Sequence, residues 1–315
     1  MTKKIAFIFP GQGSQAVGMG KDLYDNFEAS KNVFDTADRV LGKSITKLCF
    51  DGPEEDLKQT VNTQPSIVTM SIAALEALKS QMDITPYCTA GHSLGEYCAM
   101  YASGVMNLET TLKAIQKRAD LMGQTKGGAM AAILNAPEGS LEEALKEASS
   151  VGYVDVANYN SPAQVVITGD EAAVAKAGEL LTQAGARRVV PLAVSGAFHS
   201  KFMENAGHEF ANFVSELDIE NAEVPVFTNV DAKATFLAPE FKNKMPRQIY
   251  SSVHWTQTIQ NMIAEDVDVF IEIGPGKVLA GLNKKIDPTV KTYNIYDKES
   301  LEATIAALKE EMAIA

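Results

Sequence analysis

The chain has 315 residues, 46% hydrophobic and 22% charged, with 40 Asp and Glu against 28 Lys and Arg. That length allows a substantial core of one or two domains, and the composition excludes a disordered chain, a fibrous repeat and a small stapled scaffold. A net charge of −12 repels polyanions, which argues against general nucleic-acid binding and adhesion to anionic membranes.

In chain order, residues 3–9 form a continuous apolar run bounded by Pro10-Gly11, which suits a strand buried on both faces of a parallel sheet and sets an α/β class. The run is too short for a signal h-region or a membrane span, and no export signal is visible. Residues 22–41 carry apolar side chains at helical spacing, and Thr63-Gln64-Pro65 opens a second helix over 66–79.

Between residues 127 and 194 the pattern tightens. Strands are expected over 129–134, 154–158, 164–168 and 188–194, with helices over 140–149 and 171–184. This β-α-β-β-α-β order is the ferredoxin-like arrangement, read as a smaller domain of residues 127–195 inserted into a larger one of 1–126 and 196–315. Beyond it, helices are expected over 201–217 and 255–264, strands over 224–229 and 269–273, and a terminal helix over 301–312. No tandem repeat is visible. Cys49, Cys88 and Cys98 form no C-x-x-C pair and cannot all pair within one chain, the pattern of a reducing, cytoplasmic environment.

The sharpest chemical signal is Gly91-His92-Ser93-Leu94-Gly95, a G-x-S-x-G followed by a helical stretch. This has the form of a nucleophile elbow: a tight strand-to-helix turn exposes the serine hydroxyl, and the helix N-terminus favours a developing oxyanion. A serine hydroxyl needs a base. His92 lies inside the turn and should point away from Ser93, His208 lies on an amphipathic helix, and His254 adjoins Trp255. His199 sits between a strand and a helix, where α/β scaffolds present catalytic groups, although a capping or packing histidine fits the same place.

Gly11-x-Gly13-x-x-Ala16 formally matches a dinucleotide fingerprint, but the second strand with its acidic end is missing where residues 33–41 keep a helical period. A Gly-flanked Gln12 can instead bring its backbone N–H toward a reacting carbonyl, completing an oxyanion hole with Leu94. Gly274-Pro275-Gly276-Lys277 lacks phosphate-loop spacing and reads as a turn after a strand.

Taken together, Phe9-Pro10-Gly11-Gln12-Gly13-Ser14-Gln15, Thr63-Gln64-Pro65, the Ser93 elbow with Glu96, Arg118, Asn160-Ser161-Pro162, Ala197-Phe198-His199, Arg247-Gln248 and Glu272-Ile273-Gly274-Pro275-Gly276 make the chain resemble the malonyl-CoA:acyl carrier protein transacylases of fatty-acid synthesis. The resemblance runs from end to end. It implies an α/β-hydrolase-like large domain with a ferredoxin-like insert, Ser93 as acyl-accepting nucleophile, His199 as its base, and the Gln12 and Leu94 amides as oxyanion hole. It further implies that the main-chain carbonyl of Gln248 replaces a triad carboxylate and that Arg118 binds the malonyl carboxylate, with Gln64 and Asn160 assisting in the pocket. Ala197-Phe198 resembles the family's malonyl-selective signature.

Malonyl-CoA and acyl carrier protein are the expected partners of a monomer that needs no metal or redox cofactor. The carrier is expected to be acidic and to dock on a local basic patch drawn from Arg187, Arg188, Lys201, Lys277, Lys284 and Lys285. Three rival functions share the motifs: a trans-acting acyltransferase of polyketide synthesis, a Ser/His thioester or ester hydrolase, and a non-catalytic carrier-protein or nucleotide-binding module.

Overall fold

The computed structural model describes residues 3–314. Its ten strands are β1 (Lys4–Phe9), β2 (Cys88–Gly91), β3 (Ala129–Leu134), β4 (Val154–Ser161), β5 (Gln164–Gly169), β6 (Arg188–Pro191), β7 (Val226–Phe227), β8 (Ala234–Thr235), β9 (Val267–Ile273) and β10 (Lys291–Ile295). They form two sheets, a six-stranded one in the order β10-β9-β1-β2-β7-β8 and a four-stranded one in the order β4-β5-β3-β6. The first is parallel from β10 to β7, with β8 antiparallel at its edge, and the second is antiparallel throughout. The chain is therefore mixed α/β with a separate antiparallel sheet.

The central position of β1 explains its uninterrupted apolar run. Alternate side chains leave a strand on opposite faces. Ile5, Phe7 and Phe9 join the core that holds Val269, Ile271 and Ile273, while Ala6 and Ile8 join the core that holds Phe270 and Trp255. A third apolar core lies under the antiparallel sheet, between Ala131, Ile133 and Ile167 and the helices Ser140–Ala148 and Glu171–Ala184. Among the described residues, no helix is long and apolar enough to cross a membrane.

Several expected boundaries move. The stretch 22–41 is two helices, Lys21–Asn26 and Glu28–Leu41, broken at an extended Phe27. The helix expected from residue 66 begins six residues earlier, spanning Thr60–Gln81 with Pro65 inside it. Proline forfeits the bond to the carbonyl four residues back, here that of Val61, which instead accepts Gln116 Nε2 and Lys43 Nζ, each at 3.1 Å. Strand β6 ends at Pro191 rather than residue 194, and the strand expected over 224–229 pairs only at Val226–Phe227, since Pro225 brings no N–H to the ladder. The helix expected over 201–217 is a 3₁₀ turn, Lys201–Met203, followed by Glu204–Ser215. Helices Leu108–Gln124, Ala238–Tyr250 and Val278–Ile286, and strand β10, had no place in the sequence reading.

Candidate active site

Strand β2 ends in the turn that carries Ser93, and the helix Gly95–Ala102 leaves it. Both glycines of the G-x-S-x-G are required by close backbone approach. A Cβ on Gly91 would lie 2.0 Å from the Gly95 carbonyl, and one on Gly95 would lie 2.3 Å from the Phe9 carbonyl oxygen. Ser93 itself takes φ 52°, in the left-handed region that non-glycine residues seldom occupy. The turn is docked on the end of β1, because the His92 amide donates to Phe9 O at 2.9 Å.

His199 also takes a left-handed φ of 52°, in the segment after β6. Its Nε2 lies 2.8 Å from Ser93 Oγ. Its Nδ1 lies 2.9 Å from the Gln248 carbonyl oxygen and 3.0 Å from that of Ser251. Carbonyls only accept, so Nδ1 carries the proton and Nε2 is free to accept one from the serine hydroxyl. Burial above all, with the Arg118 charge second, pushes the His199 pKa down to about 3, against the two carbonyls that favour its charged form. The imidazole is therefore neutral at physiological pH, the state a proton acceptor needs.

Arg118 comes from the middle of the helix Leu108–Gln124 and is fully buried. Its Nη2 donates to Ser93 Oγ at 3.1 Å and its Nη1 to Gln64 Oε1 at 2.7 Å, while its Nε has no partner. The guanidinium carbon sits 5.7 Å from the centre of the Tyr97 ring. Burial lowers the Arg118 pKa, and Tyr97 and Glu96 oppose that shift. No described carboxylate forms an ion pair with it within 4 Å, so a buried cation with a spare N–H stands beside a serine hydroxyl without a contacting counter-ion.

The remaining candidates divide. Gln64 is fully buried in the helix Thr60–Gln81 and orients Arg118 rather than Ser93. Asn160, near the end of β4, places Oδ1 2.7 Å from Nε2 of His92, whose ring packs on Trp255. His254 stacks on Tyr159, and His208 meets Tyr250 edge-on, both packing roles. Leu94 is buried behind the turn and Gln12 is exposed on the opening loop. The loop approaches the elbow closely enough that a Cβ on Gly11 would lie 2.7 Å from the His92 carbonyl oxygen. Among the described residues, the Gln12 and Leu94 amides donate no hydrogen bond within the chain. Among the same residues no three His, Cys, Asp or Glu side chains gather as a metal-binding group.

Three residues of the site carry no role that the sequence assigned. Glu96 lies in the first turn of the helix after the elbow, and Asn229 follows β7, where a lone Asn beside a strand end reads only as a turn. Both are buried against the elbow backbone. Ser251 is a third, contributing only a main-chain carbonyl, which no residue type announces.

A serine held on a strand-to-helix turn, faced by a neutral imidazole and a buried cation, has the chemistry of acyl transfer. The acyl transferase domain family matches residues 6–305, and the chain belongs to that family. Among its relatives, the malonyl CoA-acyl carrier protein transacylase of Bacillus subtilis is 44% identical over 312 residues, covering 98% of each chain. The solved acyl carrier protein S-malonyltransferase of Vibrio cholerae superposes with a TM-score of 0.93 at 40% identity, over 96% of this chain and 100% of that one. A malonyl-transacylase solved in complex with its type II PKS acyl-carrier protein superposes with a TM-score of 0.94 at 36% identity, over 97% of this chain and 100% of that one.

Proposed function

We propose that the protein transfers a malonyl group from malonyl-CoA to the phosphopantetheine thiol of an acyl carrier protein, through a malonyl ester on Ser93. Ser93 Oγ attacks the thioester carbonyl while its proton passes to His199 Nε2. The C–S bond then breaks, and the CoA thiolate takes that proton from His199. In the second half the carrier thiol gives its proton to His199, attacks the ester, and releases Ser93 with its hydrogen restored. The Gln12 and Leu94 amides are the donors best placed for the oxyanion formed in each half.

The observation that carries this reading is Arg118, buried without a contacting carboxylate and 3.1 Å from Ser93 Oγ. A buried guanidinium is costly unless paired. The free carboxylate of a malonyl group on Ser93 supplies the missing charge, and its two oxygens suit the planar fork. Gln64 fixes that fork from behind, while Asn160 acts one step removed by holding His92.

The strand order β4-β5-β3-β6 with two helices on one face supports reading residues 127–195 as a ferredoxin-like insert in an α/β-hydrolase-like domain of 1–126 and 196–315. Three free, buried cysteines accord with the cytoplasm.

The test is intact mass after mixing with malonyl-CoA. A malonyl adduct on the wild type, absent from Ser93→Ala and discharged by holo acyl carrier protein, is the expected outcome. Steady release of free malonate without carrier would identify a hydrolase, and no adduct would leave a binding module. The solved complex with a polyketide carrier gives a second acceptor class, and kcat/KM measured on fatty-acid and polyketide carriers separates the two.

A further inference from the structure

Beneath the elbow three polar side chains are almost fully enclosed: Glu96, Asn229 and Gln248, with exposures of 5%, 0% and 1%. They come from three separate elements, the helix after the elbow, the segment after β7 and the helix Ala238–Tyr250. Their hydrogen bonds converge on the nucleophile's backbone. Asn229 Oδ1 accepts the Ser93 N–H at 2.9 Å, and its Nδ2 donates to the Gly91 carbonyl at 2.7 Å. Gln248 Nε2 donates to the Ser93 carbonyl at 2.8 Å. Glu96 then holds both clamps, accepting the Asn229 amide on Oε1 at 3.2 Å and Gln248 Nε2 on Oε2 at 2.5 Å.

Two features give this network a direction. Ser93 occupies a left-handed φ, which persists in a non-glycine residue only where the surroundings over-determine it. Gln248 also accepts a hydrogen bond from His199 Nδ1–H on its main-chain carbonyl, so one residue touches the serine backbone with its side chain and the histidine ring with its backbone. We propose that Glu96, Asn229 and the Gln248 side chain are positioning residues that lock the Ser93 backbone in its strained turn and tie it to the His199 ring. An acid in this place is expensive: burial raises the Glu96 pKa to about 8, with the Asn229 amide and the Arg118 charge opposing. Packing alone would be served better by an apolar side chain.

The proposal rests on Ser93 as nucleophile and is tested on the intact chain by the single-turnover rate of Ser93 malonylation, with KM for malonyl-CoA measured beside it. Asn229→Ala and Glu96→Ala are expected to slow loading by about 10- to 100-fold, the scale of a sub-ångström to ångström misplacement of reacting groups. KM is expected to stay within about twofold, because Arg118 and Gln64 are untouched. Glu96→Gln, which keeps the shape and one acceptor, should fall between wild type and Glu96→Ala. The double variant Glu96→Ala/Asn229→Ala should lose no more than the slower single variant, since both act through one network. Should Glu96→Ala not fold, the isosteric Glu96→Gln and Asn229→Ala carry the test. Folded variants that load at the wild-type rate, losses that multiply in the double variant, or a rise in KM alone would overturn the proposal. Ser93→Ala, run alongside, separates failure of the network from failure of the nucleophile: an adduct on that variant would refute Ser93 and not the clamp alone.

Discussion

At the scale of single residues, Arg118 is the group proposed to read the substrate, and its charge helps lower the pKa of His199. If Arg118 holds the substrate carboxylate as proposed, replacing it with Ala should lower kcat/KM for malonyl-CoA by about 2–5 kcal/mol, the range for losing one side of a buried charge pair. Acetyl-CoA, which has no carboxylate to lose, should load as well as before or better. A competition of both thioesters, read from the mass of the Ser93 adduct, checks this; wild-type preference in Arg118→Ala would assign the carboxylate to another residue. The same cation acts on His199. With the imidazole pushed down to about 3 from an ordinary 6.5, acidification leaves the base unprotonated well below neutrality. The acid limb of the pH–kcat/KM profile for loading should therefore lie far below pH 6.5. In Arg118→Ala one cause of the depression is gone, so the limb should move upward in pH. A wild-type limb at 6.5, or one that does not move in the variant, would contradict this account.

At the scale of elements, the helix Thr60–Gln81 shows how a local rule is set aside by a neighbour. Pro65 signals a helix start, yet the helix runs through it because Gln116 and Lys43 take the Val61 carbonyl that the proline cannot bond. Gln116→Ala removes one of those donors and should cost about 1 kcal/mol in urea denaturation. Adding Pro65→Ala should restore most of that loss, because the new amide can reach Val61 O within the helix. If Pro65→Ala is equally stabilising with Gln116 present, the side-chain donor is not the compensation. This helix also carries Gln64, so its continuity through the proline is what brings that amide to Arg118.

At the scale of the whole molecule, a chain of charge −12 that binds an acidic carrier protein, as expected from its sequence, would need a local basic field to receive it. The six basic candidates, Arg187, Arg188, Lys201, Lys277, Lys284 and Lys285, are all exposed. Lys284 and Lys285 lie in the last turn of the helix Val278–Ile286, and Gly276, two residues before that helix, lies beside Ser14 of the opening loop. Reversing both lysines to Glu should raise KM for the carrier at low salt, leave KM for malonyl-CoA unchanged, and lose its effect as screening shortens the field. Equal effects on both substrates would remove these lysines from the docking surface.

What the chain discloses without its fold is what short-range physics controls. The burial of β1 on both faces, the elbow glycines and the order of elements in the antiparallel sheet all follow from periodicity and turn chemistry within a few residues. Its end-to-end motifs also carried the acyltransferase resemblance that the family match bears out. What only the tertiary structure decided are pairings across long separations and partners that are not side chains. Ser93 and His199 meet across 106 positions, and Asn229 reaches the Ser93 amide across 136. The acceptors for His199 Nδ1 are the backbone carbonyls of Gln248, expected only through the family resemblance, and of Ser251, which no residue type records. Glu96 stood in plain view within the motif, but its work depends on two donors delivered by distant elements, and that convergence exists only once the core has closed around it.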